Sequence, residues 1–274
     1  MAPAALALAL AAAVVHALWN LLLARARDIE AAMAVALVVS VVAFALPAVL
    51  TWDVERGAWP YVVASAALEF TYFTLLAAAY RRAEFSVVYP IARGSAPVLV
   101  LGAAVVALGV STSWQQAVGV VLVACGIVLV RGLTVGPRIG GAAFGLVIGA
   151  VIATYTLVDK AGLRHAGPVA YLEVTMVPAT AAYFGTALVR NGRGALRTEL
   201  KVATIVAGVA TFGAYALVLA ALELAPAAPV AAVRETSVII ATAFAHTFLK
   251  ERVGWKRATG AAAVVAGVGL LSLA

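Results

Sequence analysis

The chain has 274 residues, of which 65% are hydrophobic and 11% charged, and its formal net charge is +7. A soluble domain carries about half apolar and about a quarter charged residues, so this composition excludes an ordinary soluble fold. The basic excess does not indicate nucleic acid: lysines and arginines sit singly or in pairs between apolar runs, with no basic stripe and no interleaved aromatics.

The first apolar run, 4–23, lacks the basic start of a signal peptide and continues into His16, Trp19 and Asn20, so it reads as a retained span. These three residues share a helical face at i, i+3 and i+4. They either line a cavity or anchor the span at the membrane interface. Runs at 31–50, 59–80, 86–108 and 115–131 follow, each long enough for about 30 Å of hydrocarbon. On the third, Glu69 shares a face with Tyr72, Phe73, Leu76 and Tyr80. A lone carboxyl on an aromatic face is either the partner of a buried cation or a proton carrier.

The fourth run holds Arg93 in mid-span, between Pro90 and Pro97, with Gly94 beside it and Tyr89 one turn before. A charge at mid-membrane costs at least about 2.5 kcal/mol, so Arg93 must face a cavity or a partner. The prolines and glycine are expected to interrupt the helix and free backbone groups around it. Cys125, the single cysteine, excludes an intrachain disulfide. Gly132, Gly136 and Pro137 mark the only candidate linker, which separates residues 1–133 from 134–274.

Five further runs occupy 140–160, 168–189, 201–222, 227–248 and 255–273. The sixth span carries Gly141, Gly145 and Gly149 at four-residue intervals, a face suited to close helix packing. It also carries Tyr155 and Asp159, in a region corresponding to the His16 face. Asp159, Lys160 and Glu173 lie near expected span ends, where they can snorkel or pair. Thr204, Thr211 and Tyr215 form a polar stripe on the eighth span, suited to interhelical hydrogen bonds. The ninth carries Arg234, Glu235, Thr236 and Ser237 after Pro226 and Pro229, with His246 near its end.

Residues 83–130 recur without a gap at 224–271. The register that places Arg93 on Arg234 also pairs Leu108 with Leu249, Trp114 with Trp255, Gly119 with Gly260, Gly126 with Gly267 and Leu129 with Leu270. Five spans per half would turn the second half upside down relative to the first. The expected fold is therefore an all-α membrane protein, ten transmembrane helices forming two inverted five-helix repeats. A mirrored charge in each half is a transporter pattern. Arg25, Arg27, Arg81, Arg82, Arg131, Arg138, Arg190, Arg193, Arg197, Lys201, Lys250, Arg252, Lys256 and Arg257 flank odd-numbered connections. Even-numbered ones offer little beyond Arg56 and Arg164. The positive-inside rule puts the odd connections in the cytoplasm and both termini outside.

Enzyme signatures are absent: the sequence has no HExxH, no P-loop, no cysteine–histidine metal cluster and no nucleophile elbow. No catalytic residue, metal or cofactor is expected.

Ten spans in two halves, each ending in a Trp-xxxx-Gly-xxxxxx-Gly helix, resemble the drug/metabolite transporter superfamily, EamA type. The run Phe248-Leu249-Lys250-Glu251-Arg252, followed by Trp255 and Gly260, is similar to that family's ending. The resemblance covers essentially the whole chain. It implies a multi-pass secondary transporter of the inner (plasma) membrane, with export as its direction. The family's usual residues at the positions of Arg93 and Arg234 are apolar or small, so these arginines and His16-xx-Trp19-Asn20 suggest a distinct subgroup. Some relatives are described with cytosolic termini, contrary to the charge bias here.

The combined expectation is a carrier of a small polar metabolite, amino acid or organic-anion-like, with alternating access around a midplane site. Arg93 and Arg234 hold an anionic group such as a carboxylate or phosphonate. Glu69 or Glu235 holds an amine or carries a coupling proton. His16, Trp19, Asn20, Tyr72, Tyr89, Tyr155, Tyr215 and Ser237 complete the candidate substrate site. The partners expected are a small-molecule substrate and the lipid bilayer. A multidrug exporter, or a lipid-directed membrane enzyme with His16 or Glu69 as base, are the competing readings. The second needs a defined nucleophile, and none is visible.

Overall fold

The structure is a computed structural model that describes residues 1–23, 26–82, 85–131, 139–237, 239–240 and 255–273. Residues 80–82, 85–87, 89–90, 131, 139–141 and 256–258 are described by their backbone alone. Ten α-helices occur among the described residues: α1 (Pro3–Leu23), α2 (Ile29–Leu50), α3 (Trp59–Arg82), α4 (Phe85–Val106) and α5 (Trp114–Arg131) in the first half. The second half supplies α6 (Ile139–Gly162), α7 (Pro168–Thr198), α8 (Val202–Leu224), α9 (Ala227–Arg234) and α10 (Trp255–Leu273). No strand occurs among the described residues. Uninterrupted apolar runs become helices because lipid offers no partner for backbone N–H and C=O groups, which must bond within the segment.

Helices α1, α2, α3, α6, α7 and α8 are each long and apolar enough to cross a membrane. Helices α4, α5 and α10 contribute shorter apolar stretches, Ile91–Val106, Trp114–Val130 and Thr259–Leu273. The chain is a multi-pass integral membrane protein. The expected ninth span, 227–248, is helical through Arg234 and then turns at 235–236. Most of its remainder, with His246, lies outside the described residues, as do the candidate linker at 132–138 and the run Phe248 to Arg252.

Two expectations are corrected. Helix α4 is continuous through both prolines. Each proline removes one hydrogen bond without breaking the rod, and Pro97 deprives the Arg93 carbonyl of its helical donor. Helix α7 runs past 189 to Thr198, because the chain kinks at Gly192 and resumes helix. Gly192 has φ 75°, a conformation that glycine adopts at little cost.

The closest helix pairing is α5 with α10. A Cβ on Gly126 would stand 2.6 Å from Gly260 O, and one on Gly260 would stand 2.7 Å from Gly126 O. Gly119 and Gly267 meet in the same reciprocal way, at 2.9 Å and 2.7 Å. The recurring glycines therefore face each other across one antiparallel crossing, where any side chain would force the backbones apart. Gly145 and Gly149 of α6 lie against Val88 O and Ala92 O of α4, which makes that face a packing surface. The other main pairings are α1 with α8, α4 with α6, α2 with α7, α2 with α8, α3 with α6, α4 with α5, α3 with α7, α4 with α9 and α1 with α9.

The two ends of the bundle are distinct. At one, the backbone N–H groups of Arg27 and Asp28 donate to Glu199 Oε1 at 3.1 and 3.3 Å, and Arg190 pairs with Glu30 at 3.4 Å. At the other, Gly167 N donates to Asp53 Oδ1 at 2.9 Å and Glu55 N donates to His165 O at 2.9 Å. Connections α1–α2 and α7–α8 thus share one end, and α2–α3 and α6–α7 the other.

Candidate functional site

A cavity opens among seven helices of the two halves. Its walls are His16 and Trp19 from α1, Glu69, Tyr72 and Phe73 from α3, Arg93 from α4, Tyr155 from α6, Met176 from α7, and Arg234 from the end of α9. Helix α8 adds Thr211, Phe212, Ala214, Tyr215 and Val218. The space open to the centres of water molecules is about 60 Å³. At about 10–15 Å³ per water, it holds roughly four to six waters, the scale of a very small metabolite.

The structure brings together eight residues singled out from the sequence: His16, Trp19, Glu69, Tyr72, Arg93, Tyr155, Tyr215 and Arg234. Four others stand differently. Asn20 donates its Nδ2 to the His16 carbonyl at 2.8 Å, within its own helix. Glu235 is fully buried and touches both arginines without appearing in the cavity wall. Ser237 is buried just beyond α9, away from the wall. The side chain of Tyr89 lies outside the described residues.

Both guanidiniums converge on one carboxylate oxygen. Arg93 Nη1 donates to Glu235 Oε1 at 3.1 Å. Arg234 donates to the same oxygen from Nε at 3.3 Å and from Nη2 at 3.2 Å. All three side chains are buried. Glu235, rather than Glu69, is the carboxylate hydrogen-bonded to Arg93. Two guanidiniums thus share one carboxylate beside the cavity, a disposition that suits recognition of an anionic group.

Arg93 Nη2 also lies 2.9 Å from His16 Nε2, while Trp19 Nε1 donates to His16 Nδ1 at 3.1 Å. A neutral imidazole carries one donor and one acceptor. Its two nitrogens therefore cannot both accept, so only one of these two donors bonds to the neutral ring. The aromatic wall is held by edge contacts. Tyr155 stands 6.0 Å from Tyr72 and 6.1 Å from Tyr215 between ring centroids, and Tyr72 lies 5.2 Å from Phe73.

Asp159 lies one turn from the end of α6 at Gly162, near a span end as expected, but it is fully buried instead of snorkelling. Ser65 Oγ donates to its Oδ1 at 2.5 Å and the Tyr171 hydroxyl to the same atom at 3.1 Å, while the Tyr215 hydroxyl donates to Oδ2. Its position one turn from Tyr155, on the same face, was the available signal. Lys160 by contrast reaches the Leu222 carbonyl at the bundle end. Thr211, expected to bond between helices, donates at 2.7 Å to Ala207 O of its own helix and lines the cavity. Met176, Phe212, Ala214 and Val218 were not anticipated as lining. They are apolar residues in apolar helices and carry no distinguishing pattern.

Among the described residues, no cluster of three metal-ligating side chains occurs. The comparison with curated proteins gave no match. Among solved structures, one crystal structure superposes with a TM-score of 0.77 at 14% identity, covering 98% of this chain and 98% of the other, a likeness of fold. The family model of the EamA-like transporter family matches residues 3–132 and 139–273, and the chain therefore belongs to this family of drug/metabolite-type membrane transporters.

Proposed function

We propose that the protein is a secondary active exporter of a small polar metabolite bearing an anionic group, an amino acid or a comparable organic anion. The observation that carries this reading is the convergence of Arg93 and Arg234 on one Glu235 oxygen beside an aromatic cavity. The guanidiniums of Arg93 and Arg234 receive the substrate's carboxylate or phosphonate. Glu69, on the opposite α3 wall, receives an amine. Trp19, Tyr72, Tyr155 and Tyr215 enclose the apolar part. The export direction and the inner (plasma) membrane location follow from family resemblance. The cytoplasmic placement of the odd-numbered connections follows from the positive-inside bias.

Alternating access would come from two inverted repeats, residues 1–133 and 134–274, rocking about the central site. The helix pairings support this arrangement. Exchanging each helix for its counterpart five places on turns α1–α8 into α6–α3, α4–α6 into α9–α1, and α2–α8 into α7–α3, all of which occur. The pairs α2–α7 and α5–α10 map onto themselves. The two separate segments matched by the family model agree with the same division.

A thermal-shift screen of the purified protein tests the site. A ligand at about 100 times its Kd stabilises by about 2.7 kcal/mol, so weak binders register at high excess. Amino acids or small organic anions are expected to raise the melting temperature of the native protein and to lose this effect in Arg93→Ala and Arg234→Ala. Stabilisation by cationic drugs alone would overturn the assignment.

A further inference from the structure

We propose that Glu199 and Asp53 are the latches of two gates, one tying the halves together at each end of the bundle, and that transport releases one latch while the other holds. The inference rests on the chain being a transporter, and it gives a role to two carboxylates that lie outside the cavity.

The first argument is that the two ties are counterparts. Helices α2 and α7 pack against each other and exchange places in the proposed repeat. Glu199 follows α7, and its Oε1 accepts the N–H groups of Arg27 and Asp28, the two residues just before α2. Asp53 follows α2, and its Oδ1 accepts the N–H of Gly167, the residue just before α7. Each carboxylate thus leaves one half at the end of a helix and holds the start of the counterpart helix in the other half. An anion is favoured there, at the positive end of the helix dipole. Exchanging the halves turns one tie into the other, which two unrelated loop contacts would have no reason to obey.

The second argument is what each tie spans. Both join a side chain of one half to backbone of the other, so rocking the halves apart at either end must break the tie at that end. Neighbouring contacts span the same seam. At the Glu199 end, Asn191 Nδ2 donates to Asp28 Oδ1 at 3.3 Å. At the Asp53 end, the His165 ring stacks on Tyr61 with centroids 6.0 Å apart, and its Nδ1 lies 3.4 Å from Glu55 Oε2.

The latches differ in strength. Glu199 is buried, bonds two backbone N–H groups and meets Lys201 Nζ at 3.1 Å, whereas Asp53 is exposed and bonds one. Charge-assisted hydrogen bonds are stronger away from water. The Glu199 end, cytoplasmic by the positive-inside bias, is therefore the harder of the two to open.

The test is the rate at which an impermeant methanethiosulfonate reagent, added to intact cells, labels a cavity cysteine, Thr211→Cys in a Cys125→Ala background. Asp53→Ala frees the outer end and should raise this rate by about two- to fivefold, the scale of one exposed hydrogen bond. Glu199→Ala frees the inner end and should lower it by about tenfold or more, the scale of hydrogen bonds to a buried charge. Contacts that merely stiffen the loops would move both rates upwards. If Glu199→Ala does not reach the membrane, Asp53→Ala decides alone, because an exposed loop side chain can be removed without losing the fold. An unchanged rate in Asp53→Ala, or both variants shifting the rate in the same sense, overturns the proposal. Labelling needs no substrate, so this failure is separate from a failure of the arginine site, which the thermal-shift screen reads.

Discussion

Replacing Glu235 by glutamine removes the one anion that both buried arginines share. Its Oε1 lies 3.1 Å from Arg93 Nη1 and 3.2 Å from Arg234 Nη2. With an effective dielectric of about 20, each attraction amounts to about 5 kcal/mol before desolvation and the repulsion between the guanidiniums are subtracted. Removing one partner of a buried ion pair has a net cost of about 3–5 kcal/mol, since the remaining charge stays buried without compensation. Glu235→Gln should therefore lower stability by about 3–5 kcal/mol in reversible unfolding from mixed micelles, followed by tryptophan fluorescence. Exposed Glu223 serves as the control, and Glu223→Gln should change stability by less than about 0.5 kcal/mol. Adding Arg234→Gln to Glu235→Gln should return part of the loss, with a coupling of about 0.5–3 kcal/mol. Equal stabilities for Glu235→Gln and Glu223→Gln would refute the charge cluster as described.

The α5–α10 crossing predicts a second effect. A Cβ on Gly126 would meet Val264 Cγ2 at 2.5 Å, whereas Gly269 has open space around it. Gly126→Ala should destabilise by about 1–3 kcal/mol, while Gly269→Ala should be neutral or stabilising; equal effects on unfolding would sink the close-packing argument. For topology, a cysteine replacing Arg193 in a Cys125→Ala background should be protected from an impermeant thiol reagent in intact cells. Labelling from outside would reverse the assigned orientation.

Much of this architecture was legible because lipid imposes simple rules. Apolar runs located the helices, and the Trp-xxxx-Gly-xxxxxx-Gly spacing marked α5 and α10 as counterparts in the two halves. The arginines stood out because a mid-span charge needs a reason. Glu69 and its aromatic face followed from helical spacing alone. What was not legible depends on distance in the fold. The Arg93–Glu235 bond joins positions 142 residues apart, and nothing local favours Glu235 over Glu69. Asp159 stands near its span end as the hydropathy indicates, but its burial depends on Ser65, Tyr171 and Tyr215 from three other helices, which nothing local reveals. Pro90 and Pro97 suggested a break, but α4, packed against α5 and α6, is continuous through them. The extension of α7 was hidden by Arg190, Asn191 and Gly192, which read as a connection.

The most direct test of the central claim is counterflow in proteoliposomes, using a ligand identified by thermal shift. Native protein loaded with unlabelled ligand should accumulate the labelled form transiently and saturably, and Arg93→Ala and Arg234→Ala, inserted and monodisperse, should abolish it. Flux without saturation, or normal counterflow in both arginine variants, would contradict a transporter built around this pair.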